Sequence, residues 1–218
     1  MARQNQSIDR FLNDVQVILD NIRKSPDIQT ALVEYGYDEV RLDEGAALKV
    51  TLQAQHTAQK QAYGAQFAAT WAAYAAWKAA DVTYTKHRRL MGIAVRYNKG
   101  RRHALGLNQR KQYTQEKWRG QAVQFYDSVL KDDDAIADVA LFKVTQEELV
   151  QGQALVNEVV ALEGIQQTAI VAAQIATIDR NIALGALREW LSSLRAVARL
   201  ALADNPQHLE ALQVASVP

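Results

Sequence analysis

Residues 60–78 read KQAYGAQFAATWAAYAAWK, and 107 positions later residues 167–185 read QTAIVAAQIATIDRNIALG. Both stretches lack Pro and are rich in Ala, which enters a helix at no cost in side-chain entropy. Reading outward from them, no turn-forming cluster appears between Asp38 and Asn98-Lys99-Gly100, or between Thr145 and Asn205-Pro206. The isolated Gly64 and Gly164 each cost about 1 kcal/mol in a helix but do not end one. The reading is an all-α chain with two long antiparallel helices, about 38–98 and 145–205, each roughly 90 Å at about 1.5 Å per residue. A kink near Gly64 and Gly164 is the alternative.

The offset of 107 extends well beyond these stretches. Without a gap, residues 8–107 align with 115–214, and twenty of the 100 pairs are identical. The matches keep like with like: Phe11 with Trp118, Ile18 with Phe125, Leu42 with Leu149, Gly45 with Gly152, Gln59 with Gln166, Thr70 with Thr177 and Asn98 with Asn205. Two copies are too few for a solenoid. The expectation is one domain, 1–218, made of two tandem repeats related by a pseudo-twofold axis and sharing one core.

Shorter helices precede each long one. Ile8, Phe11, Val15, Ile18 and Ile22 alternate spacings of three and four, which puts them on one face of a helix over 7–24. Trp118, Ala122, Phe125 and Val129 do the same over 114–131. Short helices are expected at 27–34 and 134–141, after the breaks at Ser25-Pro26-Asp27 and Asp132-Asp133-Asp134. Asp38 and Thr145 read as N-caps, and Thr145-Gln146-Glu147-Glu148 fits a capping box. Ala at the long seam permits close helix approach, with Gln59, Gln166, Thr70 and Thr177 as polar residues that set the register. The first and third helices of both copies would together form a four-helix bundle, with the long pair projecting beyond it.

Composition removes several function classes. Across 218 residues there are 10 Gly, 3 Pro and no Cys, and the net charge is +1. Disulfides, zinc-thiolate sites and thiol nucleophiles are therefore out, and the usage suits a cytoplasmic protein. The N-terminus carries no apolar run of the secretory kind, so Asn5-Gln6-Ser7 has no context as a glycosylation sequon. The uncharged run 61–77 is shorter than the span of about 20 apolar residues that a membrane helix needs, so a membrane-interacting protein ranks last. No Glu-x-x-His pair, HExxH, GxGxxG, GxxxxGK[ST] or GxSxG occurs, so neither a metal, a cofactor nor a catalytic residue is assigned.

Two features remain. Tyr63, Phe67, Trp71, Tyr74 and Trp77 lie on one helical face at spacings of four, four, three and three. They are expected as core under the shorter helices; the alternative is an apolar groove or interface. Second, residues 86–119 hold eleven Lys and Arg against a single acid, Glu116. Around Lys99-Gly100-Arg101-Arg102-His103 this charge is expected to be solvated and to complement a helix C-terminus and acids elsewhere. The alternative is an anion-binding surface of Arg88, Arg89, Arg96, Lys99, Arg101, Arg102, Arg110 and Lys111, for nucleic acid or an acidic partner, with Tyr97, Tyr113 and Trp118 as stacking platforms. The leading reading is a non-enzymatic helical scaffold or protein-interaction protein, with a homodimer or another protein as partner.

Overall fold

The computed structural model describes residues 7–214; residues 1–6, with Asn5 and Gln6 of the sequon, lie outside them. The helices are α1 (Ile8–Lys24), α2 (Pro26–Val33), α3 (Glu39–Ala94), α4 (Lys99–Ala104), α5 (Gln115–Val129), α6 (Asp133–Ala140), α7 (Gln146–Ala201) and α8 (Pro206–Ala211). No strand occurs among the described residues. The fold is all-α, with two long helices that pack against each other and against shorter ones. Helices α2, α3 and α4 recur as α6, α7 and α8 with both ends displaced by 107 residues. Both long helices run unbroken for 56 residues through Gly64 and Gly164.

Local chemistry accounts for the boundaries. The Asp38 carboxylate accepts from Arg41 N at 3.0 Å and opens α3. Thr145 and Glu148 exchange side-chain and backbone bonds at 3.0 and 3.2 Å, the reciprocal capping box at the start of α7. Asn98 and Asn205, read as stops, instead begin the additional helices α4 and α8. Asn98 Oδ1 accepts from Arg101 N at 3.0 Å, so the residue that cannot continue α3 caps the helix after it.

The chain folds into two compact units. Unit 1 comprises the chain up to Tyr63 and from Ala172 onward; unit 2 comprises Gly64–Val171. Each has its own core, which corrects the expectation of a single shared one. In unit 1, Val15, Ile18, Leu19 and Ile22 of α1 pack with Leu42 and Leu52 of α3, Leu187, Leu191 and Leu194 of α7, and Leu209 and Leu212 around α8. In unit 2, Trp118, Phe125, Tyr126 and Val129 of α5 pack with Tyr84 and Met91 of α3 and Leu149, Val156 and Val159 of α7. The physical reason is length. At about 1.5 Å per residue, a helix of 17 residues such as α1 covers less than half of one of 56.

Each unit contains one stretch of α3 lying antiparallel to one stretch of α7. In unit 1, the buried Gln59 donates to Thr177 Oγ1 at 3.2 Å; in unit 2, Gln166 donates to Thr70 Oγ1 at 3.3 Å. These are the same two aligned pairs used in reciprocal combination, and a slide by one turn breaks both bonds.

Gly45 and Gly152 mark equivalent close contacts, each with an aromatic side chain. The Trp190 ring covers Gly45, and a Cβ there would stand 2.5 Å from Cε2. Tyr126 covers Gly152, where a Cβ would stand 2.6 Å from Cζ. At Gly64 and Gly164 a Cβ would meet nothing within 4 Å. Gly45→Ala and Gly152→Ala should therefore destabilise by about 1–3 kcal/mol through overpacking, despite the better helix former. Gly64→Ala and Gly164→Ala should stabilise by about 0.5–1 kcal/mol. Urea denaturation of the four variants checks the opposite signs.

Candidate functional site

The aromatic stripe is largely uncovered. In unit 2, Phe67 and Trp71 are 62% and 69% exposed and Tyr74 is 44% exposed, while Trp77 is half-buried against the core. The expectation of a core stripe thus fails for three of these four; Trp77 is the one that meets the Trp118 ring of α5. An edge-to-face ladder runs from Trp71 to Tyr74, Trp77 and Trp118, with centroids 5.8 to 6.3 Å apart. It continues through Tyr84, Phe125 and Tyr126 to His87, so an exposed aromatic face is continuous with the buried core. Lys78 Nζ lies over Tyr74 and Trp77, 5.4 and 4.8 Å from the ring centroids. In unit 1, Tyr63 is exposed, its hydroxyl 3.4 Å from Thr177 Oγ1.

Helix α7 adds apolar surface that the reading of 61–77 overlooked. Val160, Ile165 and Val171 are exposed in unit 2, and Ile175, Ile178 and Ile182 in unit 1. By length and composition α7 is apolar enough to cross a membrane, with a window of mean hydropathy 1.3 that is 11% buried.

The basic segment separates into three groups, all in unit 2. Arg88, Arg89, Arg102 and Lys111 line one cleft of about 390 Å³ with Thr85 and Tyr113. Arg88 donates to the carbonyls of Gly106 (3.1 Å) and Gln109, and Arg102 to that of Gly92 at 2.8 Å. Carbonyl partners position these guanidiniums without cancelling their charge. Lys111 does meet a carboxylate, Asp81, at 2.7 Å, and Asp81 also accepts from Trp118 Nε1 at 2.7 Å.

Arg101 is different: it reaches Asp132 at 2.9 Å, Asp134 at 2.7 Å and Asp138 at 3.1 Å. It ties α4 to α6, the expected pairing with acids elsewhere in the chain, and is not a free anion ligand. Arg96, Lys99 and Arg110 are exposed and do not line the cleft; Arg96 lies over its neighbour Tyr97, 4.7 Å from the ring centroid. Of the three expected stacking platforms, Tyr97 and Tyr113 are 87% and 79% exposed, but Trp118 is fully buried. Asp81, the hub of this region, carries no motif that would reveal it in sequence.

Among the described residues no group of three His, Asp or Glu is placed to hold a metal ion. The largest of the described clefts, about 550 Å³ between α5 and α7, is lined by Glu116 and by the ion-paired Arg119 and Glu163, so it holds no excess positive charge. The chain matches no protein-family model, no curated protein and no solved structure.

Burial shapes the titration at the inner end of the ladder. The Tyr84 hydroxyl is pushed up to about 12 by burial, with Arg88 opposing the rise. His87 is 2% exposed, and its Nδ1 lies 3.1 Å from the Tyr126 hydroxyl. Burial and then Lys86 hold its pKa below the ordinary value, against the pull of Glu148. His87 is therefore neutral in the fold where the unfolded chain takes up a proton. Its contribution is fully present above about pH 6.5 and declines as pH falls through that value toward the folded pKa. The His87→Gln variant should show a smaller drop in melting temperature than the parent between pH 7.5 and 5.5, measured by circular dichroism.

Proposed function

We propose that this chain is a non-enzymatic helical interaction protein that self-associates through the aromatic face of α3 in unit 2. The observation that carries this reading is the exposure of Phe67, Trp71 and Tyr74 together on a helix that has no charged residue between Lys60 and Lys78. Each buried aromatic of this size contributes about 1.5–3 kcal/mol relative to leaving it in water, and contiguous apolar patches of several hundred Å² mark interaction surfaces.

A second copy is the occupant whose surface suits this one. A twofold interface presents the same patch from both sides, and Phe67 and Trp71 bring no charge of their own to repel their copies. Val160 and Val171, eleven residues apart and so on one face of α7 in the same unit, are exposed apolar residues as well. The three aromatics leave 44–69% of their surface in solvent, a part of the roughly 800 Å² per partner that a specific interface buries.

Light scattering at tens of micromolar should give twice the chain mass of 24.3 kDa. The Phe67→Ala/Trp71→Ala double variant removes two exposed anchors and should weaken the dimer about a hundred-fold or more, at unchanged helicity. A monomer mass for the parent overturns the reading. Co-sedimentation of the parent with neutral liposomes, lost in the double variant, would transfer this face to a membrane surface.

A further inference from the structure

The basic cleft of unit 2 has a counterpart in unit 1. There Arg188, Arg195 and Arg199 of α7 line a cleft of about 380 Å³ with Phe11, Leu191 and Ser192. Shifted back by 107 residues, Ser192, Arg195 and Arg199 fall on Thr85, Arg88 and Gly92, all of which line the unit 2 cleft. A hydroxyl followed three residues later by Arg thus stands at the same station of both long helices, and Arg88 with Arg195 is one of the identical pairs. The other cations come from different places: Arg188 and Arg199 in unit 1, and Arg89, Arg102 and Lys111 in unit 2. A cationic cleft therefore recurs although most of its residues do not.

The unit 1 cleft also shows stress that an anion would relieve. Arg195 Nε is buried with no hydrogen-bond partner. Burial, then Arg199, lower the Arg195 pKa against the pull of Asp14, so like charges crowd one another here. Arg188 meets no carboxylate among the described ion pairs and lies over the Phe11 ring, 5.8 Å from its centroid. Three guanidiniums with a hydroxyl exceed what one carboxylate can use. They match a doubly charged oxyanion with three acceptor oxygens, the geometry that Arg forks bind best. The two volumes fall at the lower end of the roughly 300–1,000 Å³ typical of small-ligand sites.

We propose that each unit carries a phosphate-binding cleft, built on Ser192 and Arg195 in one and on Thr85 and Arg88 in the other. The phosphate belongs to a small phosphorylated ligand or to a nucleic-acid backbone. This proposal is independent of self-association through α3, since neither cleft includes Phe67, Trp71 or Tyr74.

Calorimetric titration of the full chain with pyrophosphate at about 50 mM salt, where phosphate contacts are least screened, should show two sites per chain. Arg89 and Arg199 are exposed and make no described hydrogen bond or ion pair, so Arg89→Ala and Arg199→Ala should leave the helicity unchanged. Each should weaken one site about ten-fold or more, as expected for a lost charge-assisted hydrogen bond, and the double variant should lose both. Lys99→Ala, in the same basic segment but outside the cleft, should bind within about two-fold of the parent. No saturable binding by the parent, or equal binding by the double variant, overturns the proposal. A labelled single-stranded 12-mer that pyrophosphate displaces assigns the phosphate to nucleic acid; pyrophosphate binding without 12-mer binding assigns it to a free ligand.

Discussion

Pairing of α3 with α7 through small side chains is the constraint on which the rest depends. Ala73 and Ala80 of α3, with Ala173 and Ala198 of α7, are buried to within 1%. Such residues let helix axes approach closely but bury little area each, so the pair gains little from its own contact. Stability has to come from elements laid on it, and in each unit those are a three-helix set: α1, α2 and α8 in one, α4, α5 and α6 in the other. The reciprocal bonds of Gln59 with Thr177 and Gln166 with Thr70 then fix the register of α3 against α7. An Ala seam alone would tolerate a slide.

The exposed aromatic face is the other side of that economy. Helix α5 supplies Trp118, which meets Trp77 edge-on and Tyr84 beyond it, so Trp77 is drawn toward the core while Phe67, Trp71 and Tyr74 remain in solvent. The aromatic run is therefore one continuous feature with two environments. Its inner half builds the unit 2 core, and its outer half is surface of a kind that single folded chains seldom leave bare.

Charge is sorted with similar economy. The eleven cations of 86–119 look like one patch in sequence, yet they serve separate ends. Arg101 answers the acids of α6, Lys111 answers Asp81, Arg119 answers Glu163, and Arg88 and Arg102 clamp backbone carbonyls while keeping their charge. Of the rest, Arg89 joins Arg88, Arg102 and Lys111 at the cleft, while Arg96, Lys99 and Arg110 stay exposed outside it. In unit 1 the cations are spaced along α7 at seven and four residues and never form a run, which is why scanning for basic segments passes over them.

Local physics wrote much of this protein legibly. Caps at Asp38 and Thr145, the three-and-four spacing from Ile8 to Ile22, the Pro-free Ala-rich stretches and the 107-residue offset together specify the helices, because each depends on neighbours within a turn or two or on self-comparison. Helices α4 and α8 were hidden because Asn can both stop one helix and cap the next, and sequence does not say which until the next turn packs. The partition into two cores, the exposure of Trp71 against the burial of Trp118, and the gathering of Arg188, Arg195 and Arg199 with Phe11 were decided only by tertiary structure. Each is a matter of which distant helix reaches which stretch of α3 or α7, and helix periodicity states which face a residue shares but never what comes to cover it.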